Sequence, residues 1–202
     1  MYHSLCLHDD GEEAWPLRLH LGCGGVLLEG YVNIDIQGKL ASDHRHLQIE
    51  NTTSVYNYYA RLNGDADHLP MRRPTVCDLI ADVTHLPYNP STVDKIVAIQ
   101  VFEHFSPTGA IKALRHWHDL LWLGQPLVLS VPDMEGTLDL LETDLPFAIR
   151  HLRGRQGDEF NTHKAWYTRS GLCGLLEHYG FKVEVLQNFH FYPAIVVRAL
   201  KQ

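Results

Sequence analysis

Residues 22–25 of this 202-residue chain read Gly-Cys-Gly-Gly, directly after the alternating run Leu-Arg-Leu-His-Leu at 17–21. Glycines in series let a ligand lie against bare backbone. Three kinds of ligand could use such a loop, and the spacing separates them. A nucleoside-triphosphate loop ends in Gly-Lys followed by Ser or Thr, and no Lys follows these glycines. A dinucleotide loop needs G-x-G-x-x-G opening a helix that covers the pyrophosphate. Here Gly25 comes directly after Gly24, and only Val26–Gly30 precedes the next strand, too short for a crossover helix. The eight residues from Cys23 to Gly30 can still span about 26 Å extended, against about 17 Å for a typical strand. A parallel return without a helix is therefore feasible. Lacking a helix dipole, the loop suits a ligand without phosphates.

Two acids stand where such a ligand needs them. Asp35 closes the apolar segment 31–36, and Asp82 closes 76–83. A carboxylate accepts both hydrogen bonds of a pair of ribose hydroxyls. S-adenosylmethionine asks for a glycine turn beside its methionine portion, an acid at the next strand end for the ribose, and an acid at the third strand end for the adenine amine. Gly22–Gly24, Asp35 and Asp82 supply these in order, all at carboxyl ends of expected parallel strands, where such sheets bind ligands. The Cys23 thiol, inside the loop, is read as a small packing group and not as a nucleophile.

Further along, Glu103 and His104 directly follow the apolar run 93–102. His104 is the first candidate for a general base or an acceptor-orienting group. His163, in Asn-Thr-His-Lys-Ala-Trp, lies on a segment the fold would bring over the same mouth. Asp133 ends Ser-Val-Pro-Asp; it could bind an acceptor hydroxyl, pair with His163, or cap the next helix. Glu103 and Asp133 could in principle hold a hard cation. No second adjacent acid or Asn supports one, so no metal is expected. The fourteen histidines form no compact ligand set, and the four cysteines form no C-x-x-C pair.

The elements that must position these groups alternate. Strands are expected at 17–22, 31–36, 76–83, 93–102 and 126–132. Helical spacing runs over 111–124 with Gly124 as its C-cap, and over 135–152 with a break near Pro146. A short helix at 170–180 has Ser170 as N-cap and Gly180 as its stop. The strands 181–189 and 194–201 then form an antiparallel hairpin at one edge. This order predicts an α/β fold: a Rossmann-like, mostly parallel sheet flanked by helices, in one domain over 1–202. An insertion at about 38–75 carries Ser-Val-Tyr-Asn-Tyr-Tyr-Ala-Arg-Leu and is either a lid or a packed surface excursion.

Composition narrows the partners. Hydrophobic residues at 45% give enough apolar mass for a full core. With 17 basic and 24 acidic residues the net charge is −7, which disfavours nucleic acid and anionic membrane. No apolar stretch approaches the roughly 20 residues of a membrane span. The N-terminal segment has neither the basic start nor the apolar block of a secretory signal. Scattered cysteines fit a reduced, cytoplasmic setting.

Taken together, these segments resemble a class I S-adenosylmethionine-dependent methyltransferase. LHLGCGG followed by GYVNIDI is similar to the family's glycine motif and acidic second strand. ADVTHLPYNPSTVDKIVAIQVFEHF resembles its third and fourth strands through an E-H pair. LWLGQPLVLSVPD stands where such enzymes read L-K-P-G-G and a strand, and NTHKAWYTRSGLCGLLEHYGF resembles the helix before the terminal hairpin. The resemblance implies a seven-stranded sheet with one reversed strand and helices on both faces. It implies a cofactor site of Gly22, Cys23, Gly24, Asp35, Ile36, Asp82, Val83 and Gln100, with His104, His163 and Asp133 on the catalytic rim. Two departures stand out: His20 replaces the acid often found two residues before the first glycine, and Gln125 replaces a glycine. Backbone carbonyls would then receive the methionine ammonium. The short glycine loop and the Val-Pro-Asp segment resemble enzymes acting on saccharides, implying O-methylation of a sugar hydroxyl in a small molecule or glycan. The alternatives are a small aromatic or polyketide-like acceptor, or a non-catalytic accessory protein that binds the cofactor.

Overall fold

The computed structural model describes residues 16–24, 26–40 and 75–202. In chain order, β1 (Arg18–Leu21) and β2 (Val32–Asp35) are followed by the two-residue strands β3 (Lys39–Leu40), β4 (Val76–Cys77) and β5 (Leu79–Ile80). Then come β6 (Lys95–Ile99), a single 3-10 turn at Phe102–His104, helix α1 (Pro107–Leu120) and β7 (Pro126–Pro132). Helices α2 (Met134–Leu138), α3 (Leu145–Arg153) and α4 (Arg169–His178) precede the closing strands β8 (Phe181–Leu186) and β9 (Ala194–Lys201).

Seven strands form one sheet in the order β5-β2-β1-β6-β7-β9-β8. Numbered by their own succession, that is third, second, first, fourth, fifth, seventh, sixth. All neighbours pair in parallel except β9, which runs antiparallel to both β7 and β8. The expected hairpin is present, with its second arm lying inside the first. β3 and β4 make a separate parallel pair.

The sheet has two faces with different cover. Leu19, Leu21, Ile96, Ala98, Leu127 and Leu129 pack with Trp117 and Leu114 of α1 and with Leu172 and Leu176 of α4. Val97, Ile99, Val128 and Leu28 form the smaller opposite cluster, with Val26, Tyr31 and Phe189 against it. The β1–β2 link thus covers sheet surface that a crossover helix would otherwise cover.

That link contains no helix among its described residues, and Asn33 holds it. Asn33 Oδ1 accepts from the Leu28 N–H at 2.8 Å, and its amide donates to the Leu28 carbonyl at 3.2 Å and to Asp78 Oδ2 at 2.8 Å. The His20 Nδ1–H donates to the same Oδ1 at 3.0 Å. Fully buried in β1, His20 is held near pKa 4 by burial, with the Asn33 bond opposing, so it is neutral.

Several element boundaries depart from the sequence expectation. The segment 76–83 splits at Asp78, whose backbone N–H turns to the Asn33 carbonyl and whose carboxylate takes the Asn33 amide. Helix α1 starts four residues before 111: Ser106 Oγ accepts from the Gly109 N–H at 3.2 Å, and Pro107 occupies the first turn. It ends at Leu121, which pairs with Val93, so Gly124 belongs to a later turn at φ +79°. Thr168, not Ser170, caps α4 through the Gly171 N–H at 3.1 Å. The helical stretch around Pro146 divides into α2 and α3, with Asp144 capping the second. Most of the insertion expected at 38–75, including its tyrosine-rich stretch, lies outside the described residues.

Candidate functional site

At the carboxyl end of β1 the chain turns through Gly22 and Gly24, both with positive φ, at 60° and 55°. Gly22 is needed for contact: a Cβ there would lie 2.3 Å from Val101 Cγ2. Gly24 is open: no described atom lies within 4 Å of where its Cβ would be. The backbone here therefore presents a bare surface at the strand end. Cys23 turns the other way, 2% exposed, with Sγ 3.5 Å from the Val76 carbonyl. Burial, with Asp35 nearby, pushes its thiol far up, which removes it as a nucleophile.

Asp35, at the end of β2, clips the loop in place. Its Oδ2 accepts from the Gly24 N–H at 2.8 Å and its Oδ1 from Gln37 at 3.0 Å. Each oxygen keeps a second lone pair for a hydroxyl donor. Its carbonyl accepts from Ala81 at 2.9 Å, which sets Asp82 beside it at the end of the neighbouring strand. Asp82 is exposed, and its Oδ1 accepts from the Thr84 N–H at 2.8 Å. Helix α1 fixes this turn from below: Trp117 Nε1 donates to the Val83 carbonyl at 2.9 Å, and His116 Nε2 accepts from Leu86 at 2.8 Å. Ile36 is 41% exposed beyond Asp35, while Val83 is buried. Gln100 follows β6 at φ +57°, a rare conformation for a side-chain-bearing residue, and its amide donates to Ser130 Oγ at 3.2 Å.

The second half of the site lies one turn past Gln100. Glu103 is 1% exposed, and neither carboxylate oxygen has a hydrogen-bond partner among the described residues. His104 Nε2 and His163 Nε2 each stand 3.9 Å from Glu103 Oε1, with the two rings edge-on at 4.9 Å. The sequence reading named both histidines but passed over Glu103 as a site residue. The Glu103 carbonyl accepts from Lys164 at 2.8 Å and from Ala165 at 3.1 Å, and this ties the His163 segment to the end of β6. Gly154, at φ +72°, permits the approach from the other side: a Cβ there would lie 2.3 Å from the Asn161 carbonyl and 2.7 Å from His163 Cδ2.

Burial governs the charges. It raises the Glu103 carboxyl to about 8 and lowers His163 to about 4, with His104 and His151 beside it adding to that shift. It also lowers His104, against the pull of the Thr162 carbonyl, which the ring faces at 3.1 Å through Nδ1. That contact places the hydrogen on Nδ1 and leaves the Nε2 lone pair towards Glu103. The backbone of His151 and Leu152 opposes the His163 shift, and the buried His163 Nδ1 has no hydrogen-bond partner among the described residues.

Asp133 sits at the end of β7 as expected, with its Oδ1 accepting from Glu135 at 3.1 Å as the cap of α2. The partner of His163 is Glu103, not Asp133. His151, Tyr192 and His190 extend the polar group: His151 and Tyr192 have ring centroids 4.9 Å apart, and His190 bonds Ser130 Oγ at 2.9 Å. No sequence signal marks them, because they come from α3 and the β8–β9 connection. A groove lined by Pro146, Ile149, Arg150, Arg153, Arg155 and Gln156 begins at Gly154.

No protein-family model matches the chain, and no curated protein matches it in sequence. Solved structures do match in fold. A methyltransferase from Archaeoglobus fulgidus described as SAM-dependent superposes with a TM-score of 0.52 at 13% identity, covering 92% of this chain and 86% of its own. One from Methanosarcina mazei gives 0.51 at 18% identity, covering 94% of each chain. A 1,6-didemethyltoxoflavin-N1-methyltransferase from Burkholderia thailandensis, solved with its substrate and S-adenosylhomocysteine, gives 0.50 at 14% identity, covering 93% of this chain and 72% of its own.

Proposed function

We propose that this chain is an S-adenosylmethionine-dependent methyltransferase that methylates a hydroxyl of a polar acceptor, with a saccharide as the leading class. The observation that carries the reading is the arrangement at one sheet edge. Open backbone at Gly24, the Asp35 carboxylate and the exposed Asp82 stand on three adjoining strand ends, and the Glu103–His104–His163 cluster stands at the fourth.

The residues fit the cofactor. The Gly24 surface accepts a chain lying close to it, Asp35 retains lone pairs for ribose hydroxyls, and Asp82 is exposed for an adenine amine. When bound, the cofactor supplies a methyl group on a sulfonium, already a good leaving group. The protein's part is then to align the acceptor oxygen and relieve it of a proton. His104 and His163, beside Glu103 at this rim, are neutral imidazoles, the form that takes up a proton. Arg150, Arg153 and Arg155 along the adjoining groove favour a hydroxyl-rich or anionic acceptor over an apolar ring.

The test is a mass screen for gain of one methylene across nucleotide sugars, short glycans and phenols. A methylated saccharide product supports the whole reading. Methylation confined to phenols removes the saccharide class. Cofactor binding with no product on any acceptor favours the accessory alternative.

A further inference from the structure

Glu103 raises a separate question. A carboxylate buried to 1% exposure with both oxygens unpartnered is costly, and such groups call for a bound water, a proton or an ion. The surroundings select among these. His104 Nδ1 gives its hydrogen to the Thr162 carbonyl, so its Nε2 offers a lone pair. His163 Nδ1 has no hydrogen-bond partner among the described residues, and its Nε2 is the ring nitrogen turned to Glu103. Glu103 Oε1 stands 3.9 Å from both nitrogens. Three side chains of metal-ligand type therefore converge, each nitrogen too far from the oxygen for a hydrogen bond.

We propose that Glu103, His104 and His163 bind one divalent transition cation of the zinc type. One ligand atom from each lies within 4.8 Å of the others. Donors about 2.1 Å from a tetrahedral cation are about 3.4 Å apart, so binding draws the three together by roughly 0.5 Å to at most about 1.4 Å. Two imidazoles with one carboxylate select zinc-like cations over magnesium, which prefers oxygen ligands. The Nδ1–H contact of His104 to a backbone carbonyl is the outer support that orients a metal-binding imidazole.

This inference rests on the acceptor mouth assigned above and refines how the cluster handles the proton. Glu103, His104 and His163 would hold the cation, which would supply a Lewis acid for an acceptor hydroxyl; the two Nε2 atoms would then serve as ligands in place of bases, and the proton would pass to solvent. As the oxygen–methyl bond forms, the methyl–sulfur bond breaks and its electron pair stays on sulfur. The sequence expectation of no metal weighed only neighbouring acids, whereas this cluster is assembled from positions sixty residues apart.

Tag-free full-length protein, stripped with chelator and titrated with Zn2+, then with Co2+ read by its d–d absorption, tests this. One equivalent per chain should bind. Glu103→Gln and His163→Gln should each weaken binding beyond the roughly 10–100-fold loss that removing a merely supporting residue causes, while His178→Gln, at an exposed position, leaves it unchanged. Absence of stoichiometric binding, or binding unaltered in both cluster variants, overturns the proposal. S-adenosylhomocysteine titrated into the same samples keeps the readings apart: binding without the cation sinks only the cation, and cation binding without the nucleoside sinks only the methyltransferase.

Discussion

Gly22 and Gly24 share the left-handed backbone region for different reasons, and substitution separates them. At Gly22 an added Cβ meets Val101, so Gly22→Ala should lower the melting temperature. At Gly24 nothing described is near, so Gly24→Val should cost about 1–2 kcal/mol of backbone strain and reduce affinity for S-adenosylhomocysteine, read by calorimetry. His20 gives a prediction with a sign. Its pKa is about 4 folded against a usual 6.5, so between these values the unfolded chain holds the extra proton. Its contribution is constant above pH 6.5. Stability falls as pH drops from 6.5 towards 4, by on the order of 3 kcal/mol. A proton NMR titration should show the His20 ring unprotonated at pH 5.5; a midpoint near 6.5 would contradict its buried pairing with Asn33. The placing of the glycines and both acids at strand ends was legible because strand, turn and acid repeat in order. The isolation of Glu103 was not: burial on that scale depends on the 163–167 segment folding over it.

Elements place these groups, and two of them can be tested. The Gly154 turn lets His163 approach Glu103, so Gly154→Ala must push against the Asn161 carbonyl. It should destabilise by about 1–3 kcal/mol and depress turnover while leaving S-adenosylhomocysteine binding near wild type. The cap of α4 gives a plainer case: Thr168→Ala should cost about 1 kcal/mol, seen as a lower denaturation midpoint at unchanged slope. The strand 126–132 was readable to the residue because it is apolar except for Ser130 and bounded by Gln125 and Asp133. The segment 76–83 was not, because Asp78 breaks it to serve Asn33, a partner 45 positions away. The start of α1 was written in Ser106-Pro107, but its apolar stripe only begins at Ala110, so periodicity placed it late.

Across the whole molecule, the proposed function assigns two duties to the carboxyl end of one sheet. The strands β5, β2 and β1 present open backbone and carboxylates, suited to a nucleoside with a cationic centre. The ends of β6 and β7 present buried imidazoles, a carboxylate and, beyond them, arginines, suited to an acceptor that must lose a proton. The chain is acidic overall, with net charge −7, yet this groove is basic, so local and not global charge would select the acceptor. The claim on which the rest stands is the nucleoside site. Isothermal titration of S-adenosylhomocysteine into the wild-type protein and into Asp82→Ala tests it most directly. The account predicts one site per chain in the micromolar range, about −8 kcal/mol, and roughly tenfold weaker binding in Asp82→Ala at an unchanged melting temperature. No binding heat and no thermal stabilisation of the wild-type protein would contradict it.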